Sequence, residues 1–537
     1  MSEGLSFERI QEAFPGQVVL KALTQETLFP RVPRFVVENL LARMGGTAEA
    51  VERVRRLLEA QYQGPGSAEW IKDQLLRKGR FVLIDRVAVQ VDLSSGSYRA
   101  YLPSLGDHPV EVSPKLAEEH PGVLFGMWGT MELVYAGGRV RLTQFYPFQA
   151  SLVRLESYLQ GRSRFTEEEW VDLLLGSVGL EPQGLSRRLK LLYLARLAPL
   201  VEPGLHLMEL GPRQTGKTYL SRNTSSEAFV ISGGKVTPAV LFYNQLTRRP
   251  GLVPTYKVLI FDEIAHTAWE DPSILSILKD YMESGQFSRG GRTFLAEASL
   301  VFLGNTDSDR VPLTRVLPAG LKGDTAFLDR IHGLLPGHEF PKITPELLYQ
   351  GPGLVVDYLA AAFRHLRQKA FPLDLEAPKG YTQRDLRALR KWLSALLKLV
   401  YPNKDWPSSF WQEALGLAQE LRNRVYEELH HYNPDEFPRR RGGELPYAEA
   451  SSPLSWEEVF SLLPSDYHAL FAGLRGLGFP PPQEGPEDLV ENGQVVGCSL
   501  ARWGERRLVA PGLGRYGLEV TPDSDPEAVV AWLEGEA

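Results

Sequence analysis

The 537-residue sequence contains one cysteine, Cys498, and lacks the long apolar segments of a membrane protein. A single cysteine excludes an internal disulfide and any zinc site built from several cysteines. No run of 18 apolar residues occurs, and the first residues lack the basic and apolar regions of a secretory signal. We therefore expect a soluble protein of the reducing cytoplasm.

Lysine is missing from a long part of the sequence, since the last one is Lys404. Residues 481–537 hold 4 arginines against 11 acidic residues, so the formal net charge of −7 comes from this region. The remainder is electrically neutral and can carry a local basic stripe. The overall charge therefore leaves DNA open as a partner.

The hydrophobic pattern changes several times along the chain. Residues 1 to about 75 have a helical period, and short Val-, Tyr- and Phe-rich segments over 80–148 predict a small antiparallel sheet or barrel. Thr166 and Glu169 form a capping box that begins a helix. Over 205–304, apolar runs alternate with helical segments, which is typical of an α/β domain with a mainly parallel sheet. Helices follow over 345–432.

The segment Gly211-Pro-Arg-Gln-Thr-Gly-Lys-Thr218 matches the phosphate-binding loop pattern G-x-x-x-x-G-K-[ST]. It follows the apolar run LHLMEL and precedes a helix, which is the context that the motif requires. The backbone N–H groups of such a loop form an anion nest, and the helix directs its positive end at the phosphates. Lys217 is expected to reach the β- and γ-phosphates, and the Thr218 hydroxyl to bind Mg²⁺.

Two further apolar runs end in polar side chains. The run before Asp262 and Glu263 predicts a buried strand, after which Asp262 holds Mg²⁺ and Glu263 polarises the attacking water. Asn305 ends the next such run and is expected to orient that water. The alternative for each is a solvated strand end. The predicted cofactors are ATP and Mg²⁺, and the residues predicted to bind them are Gly211, Thr215, Gly216, Lys217, Thr218 and Asp262.

These segments and their neighbours resemble one family closely. MELGPRQTGKTYL, ISGGKVTPAVLFYN, FDEIAH, ILKDYMESGQFSRG, VFLGN and FLDRIHGLLPG are similar to the AAA+ ATPase core of the BrxL family, Lon-like proteins of bacterial BREX anti-phage systems. The similarity covers about residues 1–435. It implies a homo-oligomeric, hexamer-like ring, single or stacked, which is related to MCM helicases and encloses double-stranded DNA.

The function that the resemblance implies is ATP hydrolysis coupled to translocation on duplex DNA, or to its remodelling, in antiviral defence. Two alternatives stay open. One is a DNA-encircling clamp or scaffold that ATP gates without movement. The other is a protein-remodelling chaperone of the Lon class.

The resemblance also implies roles for two arginines in ATP hydrolysis. Arg330 matches an arginine finger that the family inserts into a neighbour's ATP site, where it neutralises charge on the γ-phosphate. Arg310 and Arg315 are rival candidates for that role. Arg384 matches the second sensor of the helical lid. The alternative for each is a surface ion pair.

A glycine-rich segment resembles the family's hairpin that faces the ring channel. It contains Arg289 and Arg292, which suit DNA phosphate contact, flanked by Phe287 and Phe294, which suit base stacking. Lys235 is a second channel candidate. The alternative is an exposed turn with solvated arginines.

The resemblance and the pattern together predict five parts. They are an N-terminal domain of helices and an OB-like barrel facing DNA at 1–165, the AAA+ α/β core at 166–344, a helical lid at 345–435, a linker at 436–453 and a small acidic α/β domain at 454–537. A Lon-type protease needs a serine activated by lysine, and no lysine follows Lys404. We therefore expect no protease domain, and expect the acidic domain to dock a neighbouring subunit or another defence protein, or to limit indiscriminate DNA binding.

Overall fold

The computed structural model of the chain describes residues 5–24, 29, 32, 34–63, 66–92, 96–106, 108–124, 126–148, 154–225, 227–246, 248–268, 272–306, 316–318, 320–376, 378–438, 455–482, 485–491, 494–503 and 506–534. Within these ranges, no helix combines the length and the apolar character that crossing a membrane requires. Most of the linker predicted at 436–453 lies outside the described residues.

Short helices and a barrel form the N-terminal part of the chain. In chain order the elements are α1 (Phe7–Ala13), β1 (Val18–Leu20), α2 (Arg34–Arg43), α3 (Ala50–Gln61), α4 (Ala68–Lys78), β2 (Arg80–Asp92), β3 (Ser97–Tyr101), β4 (Val110–Val112), α5 (Pro114–Glu119), β5 (Met127–Ala136) and β6 (Arg139–Pro147).

The barrel closes in the order β2-β3-β4-β6-β5, with β5 pairing back to β2. Paired strands are antiparallel except β4 and β6, which run parallel. The β5–β6 turn contains Gly137 and Gly138 with φ of +60° and +75°, the left-handed geometry that a two-residue hairpin needs. A closed barrel thus occupies the residues for which the sequence predicts a small sheet or barrel.

The middle of the chain is an α/β unit. Its elements are α6 (Leu155–Arg162), α7 (Glu167–Ser177), α8 (Arg187–Val201), β7 (Leu207–Gly211), α9 (Lys217–Thr224), β8 (Ala228–Lys235), α10 (Pro238–Leu241), β9 (Tyr243–Asn244), β10 (Arg249–Pro250), α11 (Leu252–Thr255), β11 (Val258–Ala268), α12 (Pro272–Ser284), β12 (Gln286–Arg289), β13 (Arg292–Leu295), β14 (Ser299–Asn305), α13 (Thr325–Leu328) and β15 (Gly333–Pro336).

A parallel sheet in the order β15-β7-β14-β11-β8 is the centre of this unit. The predicted parallel sheet is confirmed, and so is the capping box, in which the Thr166 and Glu169 side chains bond each other's backbone N–H. Strand β15 was not predicted. This strand has only 4 residues, which is too few to give a periodic hydrophobic signal in the sequence.

The last part of the chain has a helical region and then a small α/β region. The elements are β16 (Pro352–Leu354), α14 (Val356–Arg367), α15 (Gln383–Val400), α16 (Ser408–Tyr432), α17 (Trp456–Leu462), α18 (His468–Gly476), β17 (Glu487–Glu491), β18 (Gln494–Trp503), β19 (Arg506–Val509), β20 (Leu518–Glu519) and α19 (Pro526–Glu534). The final sheet has the order β17-β18-β19-β20.

Hydrophobic packing joins α1, α2 and α3 to the α/β unit, whereas α4 packs on the barrel through Ile71 and Leu75. Val36 and Leu58 share a buried cluster with Trp170, Leu359 and Trp392, whereas the barrel encloses a separate cluster. Strand β1 also pairs antiparallel with β16, far away in the chain. Helices α1 to α3 therefore pack directly on the α/β unit. The predicted boundary at residue 165 stays a prediction.

Two buried histidines lie side by side at the start of β7 and β15. The His206 backbone N–H donates to His332 Nδ1 at 2.9 Å, and the Leu300 N–H donates to His206 Nδ1 at 3.2 Å. Burial lowers the pKa of His206 to about 3 and that of His332 well below its usual value. Both rings are therefore neutral acceptors in the folded state.

We expect these histidines to make the core sensitive to mild acid. Below pH ~6.5 the two histidines become protonated in the unfolded chain but stay neutral in the folded state. The free energy of unfolding therefore falls as the pH drops, by about 1.4 kcal/mol per pH unit for each ring. Urea unfolding of the wild type and the His332→Asn variant between pH 7 and 5 measures this slope. In the variant, the free energy of unfolding should fall less steeply with pH, by about 1.4 kcal/mol per pH unit. Equal slopes in the two proteins would contradict the conclusion that His332 is neutral in the folded state.

Candidate active site

The phosphate-binding loop joins the end of β7 to the start of α9, as the motif predicts. Gly216 has a φ of +73°, and a Cβ there would lie 3.0 Å from Ile343 Cγ1. A Cβ on Gly211 would lie 2.4 Å from the carbonyl carbon of Gly337. Gly211 is therefore required by the close approach of the Gly337 backbone, and Gly216 is favoured by its left-handed φ. The last N–H groups of the loop lie at a helix N-terminus, where phosphate is favoured.

Lys217 and Thr218 are the first residues of α9. Lys217 Nζ donates to the carbonyl oxygens of Gly211 and Pro212 at 2.8 and 2.6 Å, and burial lowers the pKa of its ammonium. The Thr218 hydroxyl donates to Asp262 Oδ2 at 3.0 Å. A hydroxyl and a carboxylate held together are the protein oxygens that Mg²⁺ takes beside a nucleotide, so the residues fit Mg-ATP.

Glu263 and Asn305 flank the loop because of the strand order. β14, which ends at Asn305, lies between β7 and β11, and Asn305 stands opposite Gly211 in the ladder. Glu263 follows Asp262 on β11, with a φ of +54° that is rare for a residue with a side chain. Its carboxylate is 55% exposed and lies 3.8 Å from His266 Nδ1. Backbone strain of this kind clusters at functional sites.

A buried ion pair that sequence analysis missed contacts the backbone of the phosphate-binding loop. Arg196 on α8 donates to Glu209 on β7 through Nε, at 3.0 Å, and its Nη1 donates to the Thr215 carbonyl oxygen at 2.9 Å. Both side chains are almost fully buried. A charged residue in the otherwise apolar run LARLAPL was the available signal, because a buried charge needs a partner.

The structure brings the two predicted arginines together on one carboxylate. Glu283, at the end of α12, accepts from Arg384 Nε at 3.0 Å, and its Oε2 lies 3.5 Å from Arg330 Nε. Arg330 Nη1 also donates to the Ala326 carbonyl oxygen at 2.6 Å. The rivals Arg310 and Arg315 lie outside the described residues. Sequence analysis did not single out Glu283.

The glycine-rich segment forms the hairpin β12–β13, with Arg289 opposite Arg292 across the turn. Arg292 is exposed, whereas Arg289 is half-buried and donates through Nε to the Tyr243 carbonyl oxygen at 2.9 Å. The expectation that Phe287 stacks on bases is wrong. Phe287 is 2% exposed, because it packs between Phe242 and Phe294 and anchors the hairpin in the core.

A second, shorter hairpin lies against the first and was missed by sequence analysis. Strands β9 and β10 pair antiparallel, and the Tyr243 ring contacts Phe294 with a centroid distance of 4.8 Å. Leu246 near its tip is 97% exposed. Two-residue strands leave no periodic signal in the sequence. Lys235, the other channel candidate, ends β8, and the structure does not describe its side chain.

The parallel sheet, the glycine loop and the Thr218–Asp262 contact define the class of protein as a P-loop nucleotide-binding ATPase. A model of the ATPase domain of Lon-like protease BrxL-like proteins matches residues 140–442. A model of the BREX system Lon protease-like protein BrxL N-terminal region matches residues 12–135. The chain belongs to the BrxL family, as the motifs indicated.

Curated relatives agree with the family models. The chain is 34% identical over 446 residues to Lon-like protease BrxL of Bacillus cereus (strain H3081.97), covering 78% of this chain and 66% of the relative. It is 33% identical over 453 residues to Lon-like protease BrxL of Escherichia coli O9:H4 (strain HS), covering 80% of this chain and 65% of the relative. The similarity thus spans just under two thirds of these relatives.

Proposed function

We propose that the protein is a ring-forming ATPase that binds double-stranded DNA and moves on it or remodels it in BREX-type defence. The hydrogen bond between Thr218 and Asp262 carries the first half of this proposal. It joins the loop that receives phosphate to the strand that carries the acids, so the residues of a hydrolytic site already stand together.

Bound Mg-ATP would supply the γ-phosphate that water attacks. The loop N–H groups and the Lys217 ammonium would neutralise phosphate charge, for which Lys217 must leave the Gly211 and Pro212 carbonyl oxygens. The exposed Glu263 carboxylate would accept a hydrogen bond from the attacking water, and the Asn305 amide would orient it.

Arg330 and Arg384 support a shared site between subunits. The cluster around them has four arginines, including Arg387 and Arg422, against the three carboxylates Glu283, Asp329 and Asp385. Its excess positive charge suits the γ-phosphate of a neighbour's ATP. A subunit that gives its arginines to one neighbour and receives them from another forms a heterologous contact, which closes into a ring.

Two features support DNA as the partner. The barrel order β2-β3-β4-β6-β5 is a five-stranded closed Greek key, and we interpret it as an OB-like barrel, a fold that binds oligonucleotides. The hairpin β12–β13 presents the exposed Arg292 beside the flexible pair Gly290 and Gly291, which suits phosphate contact. The acidic region at 454–537 is proposed to dock a neighbouring subunit or another defence protein.

One observation favours a second candidate function, the remodelling of a protein. Leu246, near the tip of the β9–β10 hairpin, presents an apolar side chain to solvent. Exposed apolar side chains are typical of surfaces that bind other proteins. The salt dependence of binding distinguishes the two partners. Affinity for DNA falls steeply as the salt concentration rises, because counterions are released on binding, whereas affinity for a polypeptide does not.

Replacement of Arg292 tests the DNA proposal. We expect the wild type to bind duplex DNA with an affinity that falls steeply with salt, and Arg292→Gln to bind about tenfold more weakly with a shallower salt slope. Fluorescence anisotropy at several salt concentrations measures both quantities. Arg292 is a better probe than Arg289, which also ties the two hairpins together.

Arg56→Gln is the matched control for this measurement. Arg56 lies on α3, is 76% exposed and pairs with Glu52, so its loss removes the same charge from another surface. It should leave DNA binding unchanged. A wild type that binds an unfolded polypeptide but not DNA at low salt would overturn the DNA proposal in favour of the second candidate.

A further inference from the structure

We infer that Glu283 is a positioning residue that holds Arg330 and Arg384 side by side for a neighbouring subunit's ATP. The inference rests on the proposed shared site and adds a residue to it. Glu283 lies at the end of α12, whereas the two arginines come from the end of α13 and from α15. Without a common anchor, these elements would present their guanidinium groups independently.

The contacts around Glu283 concentrate positive charge on one carboxylate. Arg384 reaches Glu283 Oε2 with Nε at 3.0 Å and with Nη2 at 2.9 Å, and Arg330 Nε lies 3.5 Å from the same oxygen. Arg387 Nη1 donates at 3.0 Å to the other oxygen, Oε1, and at 3.0 Å to the Glu283 backbone carbonyl. Three guanidinium groups would repel one another here if no carboxylate separated them.

Further ion pairs fix the chain segments around Arg330 and Arg384. Arg384 Nη1 donates to Asp329 Oδ2 at 2.5 Å, and the buried Arg422 donates to Asp329 Oδ1 at 2.6 Å and to Asp385 Oδ1 at 2.7 Å. Asp329 directly precedes Arg330, and Asp385 directly follows Arg384. Arg422 thus ties together the segments that carry the two arginines, and Glu283 is the carboxylate that both arginine side chains contact.

Arg330 is held less completely than Arg384. Its Nε is buried and makes no hydrogen bond, although it lies 3.5 Å from Glu283 Oε2. Arg384, in contrast, makes hydrogen bonds to two carboxylates. Arg330 is thus held by electrostatic attraction to Glu283 and by one hydrogen bond, from Nη1 to the Ala326 carbonyl oxygen. It has fewer contacts to break than Arg384 in order to turn toward a neighbour's phosphate.

The test is Glu283→Gln, which keeps the shape of the side chain and removes its charge. We expect kcat for ATP hydrolysis to fall about 100-fold, because displacement of a positioned group by about 1 Å costs that much. The KM for ATP should stay near the wild-type value, since the variant's own phosphate loop is intact. Glu297→Gln is the control; that glutamate is 61% exposed and pairs with Lys257 at 3.4 Å.

Mixed oligomers separate a positioning role from a merely structural one. Glu283→Gln and Lys217→Ala subunits, co-expressed with different tags and purified through both, would place an intact loop beside intact arginines at about a quarter of the interfaces. Hydrolysis should therefore return in the mixture although each variant alone is nearly inactive. A folding defect in Glu283→Gln would not be rescued in this way.

A mixture of Arg330→Ala and Lys217→Ala subunits tests the shared site independently of the role of Glu283. If this mixture regains hydrolysis and the Glu283→Gln mixture does not, the role of Glu283 is wrong and the shared site stands. If neither mixture regains hydrolysis, both are overturned. A Glu283→Gln kcat equal to that of the wild type would also overturn the inference.

Discussion

Replacement of Glu263 by glutamine should abolish ATP hydrolysis and leave ATP binding intact. We expect kcat to fall about 100-fold or more, because the amide cannot polarise the attacking water as a carboxylate does. Asp262, which contacts Thr218 at 3.0 Å, is unchanged in this variant, so the residues predicted to hold Mg²⁺ remain. Steady-state phosphate release and equilibrium binding of a fluorescent ATP analogue measure the two effects.

Glu297→Gln is again the matched control for Glu263→Gln, because it removes a carboxylate from an exposed ion pair of the same α/β unit. Such a pair contributes little to stability. Hydrolysis should be unaffected in the control. A Glu263→Gln variant that hydrolyses ATP at the wild-type rate would show that Glu263 does not activate the water.

Replacement of Arg330 by alanine should reduce ATP hydrolysis by about 1000-fold or more, the usual effect of losing an arginine finger. ATP binding should persist, because in the proposed shared site the nucleotide is held by the phosphate-binding loop of the neighbouring subunit, which this replacement leaves intact. Arg330→Lys should recover little, since lysine keeps the charge but not the planar fork. Single-turnover hydrolysis, measured together with nucleotide affinity, separates these effects.

Assembly must be measured in the same Arg330 samples. Light scattering should show the same oligomer for the wild type and Arg330→Ala, because the side chain is bound within its own subunit by Glu283 and the Ala326 carbonyl oxygen. A monomeric variant would mean that the loss of hydrolysis reflects lost assembly. Unchanged kcat in an intact oligomer would remove Arg330 from the site.

Local sequence was sufficient for the nucleotide-binding part of the site. The loop from Gly211 to Thr218 and the acids Asp262 and Glu263 on β11 are recognised from short motifs. The backbone conformation that such a motif requires can be read directly, as at Gly216, where φ is +73°. The Thr166 capping box and the hairpin with Arg289 and Arg292 are local in the same sense. Each depends on residues less than about ten positions apart.

Short strands such as β9, β10 and β15 were missed because they leave no periodic signal, and the other missed features depend on contacts between separate elements. Glu209 pairs with Arg196 on a separate element, β1 pairs with β16, and Glu283 meets Arg384 after about a hundred intervening residues. No periodicity records such pairings. The error at Phe287 has the same cause, because its burial comes from Phe242 on another segment.

The family assignment and the structure leave one central claim to experiment, that this ATPase acts on DNA. The most direct test is ATP hydrolysis by the wild-type chain with and without duplex DNA at low salt, with Glu263→Gln as the blank. We predict that DNA raises kcat and that the stimulation fades between about 50 and 200 mM salt, as counterion release requires. A hydrolysis rate that DNA leaves unchanged at every salt concentration would contradict the account.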